Sequence, residues 1–312
     1  MIGFLTYILP TTLRMGTPIA FAAMGGVISQ KAGVNNIGIE GMMVVGAFMG
    51  GLGSYLTGNP YVGILLAMIG GAAMALIHAF LCITVGAKQP ISSMAINLFS
   101  EGICGVLVTN IFHSAGTSAL VANIPTTPCL SKIPFIGGFL SMLSPFVYFG
   151  LIIMIAATLF MKYTRFGFHI YACGENPVMA ETAGINVHRI RYFSVIMSGV
   201  LAGFGGAMLS IAQMNLFQDG LVAGRGYLAL GAVTVGRWTV WGSYLASMLF
   251  GFFDALQLYI QTIPSNPIPA DFVQMIPYLS IIFILSVSSK NIKYFGVTSA
   301  GKPYTKYAKE GA

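Results

Sequence analysis

Residues 61–85 read YVGILLAMIGGAAMALIHAFLCITV, twenty-five positions without one Asp, Glu, Lys or Arg. A helix needs about 20 mostly apolar residues to cross the hydrocarbon core of a bilayer. This run is long enough, and a water-facing stripe would have broken it with charge every third or fourth position.

The rest of the chain repeats that pattern. It has 312 residues, 56% of them hydrophobic and only 7% charged, against roughly 25% charged in a soluble domain. A soluble protein so composed could not cover its surface with polar groups, and disorder needs the opposite balance. Apolar runs separated by Gly, Pro, Asn and charge give nine spans, near 15–30, 37–57, 61–85, 91–112, 142–162, 192–213, 222–237, 239–262 and 272–289. The fold class is therefore an all-α polytopic transmembrane bundle, one domain over 1–312. Residues 1–13 are too short to span and are assigned to the interface. The seventh run is short and glycine-broken, but is counted as a crossing because the alternation needs it. The first basic residue is Arg14, so no charged leader precedes an apolar region and no cleavable signal is expected.

Charge sets the orientation. With 163–191 and the tail 290–312 inside, the inner loops hold Lys31, Lys88, Lys162, Arg165, Arg189, Arg191, Arg237, Lys290, Lys293, Lys302, Lys306 and Lys309. The outer side holds Arg14, Lys132 and Arg225. That is 12 against 3 of the 15 basic residues, the bias of a cytoplasmic side. The net charge of +7 thus reflects membrane topology and not nucleic acid. Cys173 is expected inside and Cys129 outside. The four cysteines show no metal-ligand spacing.

The one long polar stretch between spans is 163–191. Within it Gly174, Glu175, Asn176, Pro177, Ala180, Gly184 and Ile185 mark a short helix. Asn176 suits the N-cap, Pro177 the first turn and Gly184 the C-terminal stop. Such a rod on the inner side is either a docking element or an ordinary connector.

Polar groups also stand inside the apolar runs. Ser93, Asn97, Glu101, Gly105 and Thr109 recur every fourth position, as do Ser247, Gly251, Asp254, Gln257 and Gln261 at three- and four-residue steps. A carboxylate at that depth is costly unless it meets water or a partner. Asn97, Glu101, Asp254 and Gln257 are accordingly candidates for a translocation path, and a polar seam between helices is the other reading. Glu40 suits its own helix N-terminus, where the dipole favours negative charge. Arg225 is placed at the outer mouth, for an external partner, an anionic group or the headgroups. Ser198, Ala202, Gly206 and Ser210, with Gly199 and Gly203 beside them, form a close-packing face.

The order of these motifs resembles a known family. The coupling-type loop at 174–185, Gly33-Val34-Asn35-Asn36-Ile37-Gly38-Ile39-Glu40-Gly41-Met42-Met43, Gly224-Arg225-Gly226-Tyr227-Leu228-Ala229-Leu230 and Gly301-Lys302-Pro303-Tyr304 are similar to blocks in permeases of bacterial ABC importers. The group is that of branched-chain amino acids, simple sugars and nucleosides, and the match is most like the shorter permease of nucleoside importers. Met179 departs from the small residue usual at its place. The resemblance implies a bacterial inner-membrane permease carrying a small polar solute, nucleosides first, with sugars or riboflavin as the alternative. It also implies partners: an ATPase subunit, a second and longer permease, and an extracytoplasmic binding protein. No G-x-x-x-x-G-K-[ST] loop occurs here, so ATP and Mg are assigned to the partner chain and this chain to transport, not catalysis. Two rivals from other classes are a proton-coupled carrier using Glu101 or Asp254, and an intramembrane enzyme. The enzyme lacks support, because no H-E-x-x-H pair occurs and the four histidines are scattered.

Overall fold

The computed structural model describes residues 2–114, 116–124, 141–263, 269–289, 297, 299–301 and 304. Cys129, Lys132 and most of the 290–312 tail lie outside them. Among the described residues twelve helices follow in order: α1 Ile2–Lys31, α2 Ile39–Thr57, α3 Pro60–Ala79, α4 Gln89–Phe112, α5 Pro145–Tyr163, α6 Arg165–Glu175, α7 Pro177–Thr182, α8 Val187–Ala207, α9 Arg225–Val235, α10 Val240–Gln261, α11 Ala270–Gln274 and α12 Ile276–Ser289. Wider π-type turns extend α3 over Phe80–Thr84 and α8 over Met208–Met214. Among the described residues the sole β-type pairing is an isolated bridge, Thr117 with Gln218.

Among the described residues seven segments are long and apolar enough to cross a membrane: α2, α3, α4, α5, α8, α10 and the α11–α12 pair. Of the nine expected spans, those at 15–30 and 222–237 are not among the seven. The first lies within α1, which runs on through the residues before Arg14 as one helix of 30 residues with Pro10 and Pro18 inside it. The seventh run is not a spanning helix. α9 has 11 residues, about 16 Å, where the hydrocarbon core is about 30 Å.

The chain nevertheless passes from one end of the bundle to the other between α8 and α10. Near the end of α8, Gln213 and Arg14 bond reciprocally, each side chain donating to the other's carbonyl at 2.7 and 2.9 Å. Beyond α9, the Trp238 indole N–H donates to Gln30 at 2.6 Å. Arg14 and Gln30 are about 24 Å apart along α1. Residues 215–224 supply the first part of that passage as irregular backbone, and α9 supplies the second as a half-helix.

Small residues set the core spacing. A Cβ on Gly46 of α2 would stand 2.4 Å from the Gly203 Cα of α8, and one on Gly71 of α3 only 2.2 Å from the Gly199 carbonyl. Backbones this close admit nothing larger, as the small-residue face of α8 predicts. By contrast α4 buries only one face, along Ser93, Asn97, Ser100, Cys104 and Val108. Several segment ends meet at one end of the bundle: the Asn35 amide donates to Gln89 Oε1 at the start of α4, 2.7 Å away, and the Lys31 carbonyl lies against Gly174 of α6.

Candidate functional site

The turn from α1 to α2 climbs deep into the bundle. Asn36 donates to Ser198 Oγ at 3.1 Å, three turns into α8. Irregular backbone at such depth must be satisfied internally. Here the Asn35, Ile37 and Gly38 amides donate to the side chains of Gln89, Ser93 and Asn36 at 2.7, 3.2 and 3.1 Å. That brings Glu40 to the tip of the half-helix α9. Its carboxylate accepts the Gly224 and Gly226 amides at 2.8 and 2.6 Å. The charge stands in the first turn of its own helix, as expected, and also caps a second helix some 185 positions away in sequence. Gly226 must be glycine here, since a Cβ would stand 2.6 Å from the Glu40 Cα.

Two further attachments hold the 215–226 segment. Tyr278 Oη donates to the Ala223 carbonyl at 2.6 Å. Residues 215–219 pair with the loop after α4 through Ser118 N–H to Phe217 O, Phe217 N–H to Ser118 Oγ and Asp219 N–H to Gly116 O, each at 2.8 Å. Ala223 takes a left-handed φ of 49°, which is costly for a residue with a Cβ.

A cavity of about 400 Å³ opens between this segment, α2 and α4, lined by Glu40, Glu101, Cys104, Phe217 and Asp219 among others. The four-residue polar row on α4 divides there. A step of four residues advances 400°, so the row drifts about 40° per step. Ser93 and Asn97 consequently face α2 and are buried, whereas Glu101 is exposed on the cavity side. Asn97 is corrected from path to joint. It accepts the Gly41 amide at 2.9 Å and donates to Tyr227 Oη at 3.0 Å and Ile37 O at 3.3 Å, so its polar atoms are spent inside the protein.

Asp219 is the residue the sequence reading missed. Its carboxylate rests over Gly105, where a Cβ would stand 3.6 Å away. The available signal was the Gln218-Asp219-Gly220 turn just ahead of Gly224-Arg225-Gly226. Carboxylates around a cavity accept hydrogen bonds from hydroxyl and amino groups and repel anions. Among the described residues no group of three or more His, Cys, Asp or Glu is placed to hold a metal ion.

Arg225, expected at an outer mouth, opens α9 level with Glu40, and its Nε lies 3.9 Å from Asp254 Oδ2 of α10, with side-chain exposures of 21% and 11%. Its Nη1 donates to the Leu221 and Val222 carbonyls at 3.1 and 3.2 Å. Arg225, Asp254 and Gln257 together line two adjoining cavities, of about 370 and 150 Å³. Neither Arg225 Nε nor Asp254 Oδ2 makes a hydrogen bond within the protein.

The expected rod at 174–185 divides at Asn176. Gly174 and Glu175 end α6, and the rod proper is the six-residue α7. Its caps follow the sequence: Asn176 accepts the Met179 amide at 3.0 Å, Pro177 opens the helix, and Gly184 closes it at φ +82°. The Ile185 amide reaches back to the Ala180 carbonyl at 3.0 Å, the long bond of a left-handed helix stop. Val178 and Met179 are 62% and 69% exposed, while Ala180 is 4% exposed. Ala180 is thus on the inner face and Gly174 is buried, so neither belongs to the presented surface. Cys173 is fully buried, and burial pushes its thiol up to about 11.

These features define a multi-pass helical membrane permease, with a half-helix and an irregular segment meeting cavities inside the bundle. Residues 8–285 match the family described as branched-chain amino acid transport system permease component, and the chain belongs to that family. It is 33% identical to the nucleoside ABC transporter permease NupC of Lactococcus lactis, and 33% to the guanosine ABC transporter permease NupQ of Bacillus subtilis, covering 92% of this chain and 93% of each relative. It is 32% identical to TsgC13 of Haloferax volcanii, a permease named for glucose transport, over 91% of this chain and 92% of that one. The fold resembles that of a metal-chelate type ABC transporter in an inward-facing conformation, with a TM-score of 0.50, 15% identity and coverage of 91% and 87%.

Proposed function

We propose that this chain is the membrane-spanning permease of an ATP-driven importer for nucleosides. The observation that carries the reading is the capped helix α7, which presents apolar Val178 and Met179 to solvent beside the basic end of the bundle. An apolar pair exposed on a capped rod suits a surface that a partner covers. The partner we assign is an ABC ATPase subunit, which binds ATP and Mg and docks on Glu175, Asn176, Pro177, Val178 and Met179, with Gly184 and Ile185 holding the rod's shape. A rigid rod transmits a rigid-body movement that a flexible loop would absorb.

In this reading the chain passes the membrane nine times, counting residues 215–235 as one pass, with the tail on the cytoplasmic side. Glu101, Asp219, Asp254 and Gln257 face the solute, and Arg225 positions Asp254. An extracytoplasmic protein delivers the solute, and a second, longer permease completes the path across the open face of α4. Nucleosides carry the hydroxyl and amino donors that carboxylates accept. Similarity to NupC and NupQ supports this choice, and the similarity to TsgC13 supports simple sugars as the second reading.

The test is Val178→Glu with Met179→Glu in the purified complex. The ATPase subunit should be lost while the permease still inserts and folds. Retention of the ATPase with wild-type hydrolysis and uptake overturns the docking assignment.

A further inference from the structure

The Gly301-Lys302-Pro303-Tyr304 motif has no part in the site above, yet its tyrosine reaches the coupling region. Tyr304 Oη donates to the Glu181 carboxylate on α7. Its ring stacks near His188, with centroids 5.8 Å apart, and lies 5.7 Å from the Arg191 guanidinium. Ser299 donates to the Gly174 carbonyl through its amide at 3.2 Å and also through its hydroxyl. Val297 packs where a Gly174 side chain would be, 2.7 Å from its Cβ position. Val297, Ser299 and Tyr304 therefore touch the end of α6, the rod α7 and the start of α8.

Arg191 extends this contact to the bundle interior. It is 2% exposed. Its Nε donates to the Ala32 carbonyl at 3.2 Å and its Nη2 to Ser299 Oγ at 3.3 Å. Gly33, at φ +88°, leaves room for that guanidinium, since a Cβ there would stand 2.8 Å from both Nη2 and Ser299 Oγ. Gly33 begins the turn that rises through Asn36 to Glu40 and the half-helix.

A six-residue helix has too few internal bonds to stay rigid unaided. We propose that Val297, Ser299 and Tyr304 form a clamp that makes α7, the start of α8 and the α1–α2 turn one mechanical unit, with Arg191 and Tyr304 as positioning residues. Movement at the rod then reaches Glu40 through Arg191 and Gly33. The proposal rests on α7 being the ATPase docking rod.

The test uses the intact importer in proteoliposomes, measuring solute moved per ATP hydrolysed together with ATPase retention and thermal stability. Tyr304→Phe removes the hydroxyl and keeps the ring over Arg191, whereas Tyr304→Ala removes both. Solute moved per ATP should fall roughly tenfold in Tyr304→Ala, the factor that one strong hydrogen bond supports, and by less in Tyr304→Phe. The ATPase subunit should remain bound. Adding Tyr304→Phe to Glu181→Ala should have no further effect, because the two act through one bond. If Tyr304→Ala fails to assemble, the Tyr304→Phe comparison decides. A wild-type ratio in the assembled variants overturns the clamp, as does lost thermal stability with an unchanged ratio, or an additive double variant. Failure of the docking assignment reads differently: the Val178→Glu, Met179→Glu complex would keep its ATPase.

Discussion

Replacing Glu40 by Gln tests how the half-helix is held. The wild-type carboxylate accepts two backbone amides, from Gly224 at 2.8 Å and Gly226 at 2.6 Å. The amide side chain retains one acceptor oxygen and turns an NH₂ toward the other donor. One charge-assisted bond is lost outright and the remaining one is weakened to a neutral bond. Hydrogen bonds to charged groups contribute about 1.5–3 kcal/mol each, against about 1 kcal/mol for neutral ones. The net loss is about 2–5 kcal/mol, or roughly 30- to 5,000-fold in the opening equilibrium of the loop. Hydrogen exchange followed by mass spectrometry over residues 220–228 reads this directly. At least one of the Gly224 and Gly226 amides should exchange faster by that factor, with α8 and α10 unaffected. Unchanged protection in that peptide would refute the capping role, and a uniform loss across the bundle would show that Glu40 supports the whole fold instead.

Three other outcomes follow from the geometry. Glu101→Gln should cut solute uptake while the complex assembles normally, whereas Asn97→Leu should lower its thermal midpoint, since it strands the buried Gly41 amide at a cost of about 1–3 kcal/mol; the reverse pattern would undo the division of the α4 row. Asp254→Asn leaves the mostly buried Arg225 without its counter-charge and should cost about 2–3 kcal/mol, less than the 3–5 of a fully buried pair. The double variant with Arg225→Gln should melt above either single one, and additive losses would contradict the pairing. Cys173 should react slowly with thiol reagents even from its own side, because a thiol raised to about 11 from 9.0 holds about 100-fold less thiolate at pH 8. Its rate should climb with pH past 9, where an exposed cysteine placed at Met179 levels off; a plateau near 9 for both would show Cys173 to be open.

Local chemistry was the legible part of this molecule. Asn176, Pro177 and Gly184 cap α7 because capping depends on neighbours within a few positions. The small-residue row on α8 predicted close packing because a Gly-rich face on an apolar helix has few other uses. Residues 222–237 misled because hydropathy measures burial, and a half-helix inside the bundle is as buried as a span. Glu40 stands in the first turn of α2 as its sequence position suggested, but its bonds to Gly224 and Gly226 were not legible because those partners lie in a segment that only the tertiary fold brings near. The four-residue row on α4 suggested one surface, whereas its drift carries Asn97 into a seam and Glu101 into a cavity. Ala180 and Arg225 depend on which way a short helix is rolled, and neither helix is amphipathic enough over its length to fix that roll from sequence.

The central claim is best tested by reconstituting the chain with its partner permease, ATPase and binding protein, and following labelled guanosine into proteoliposomes. Accumulation should require ATP on the ATPase side and the binding protein on the other, and should persist when an uncoupler removes any proton gradient. Guanosine entry driven by a proton gradient without ATP, and lost on uncoupling, would contradict the account.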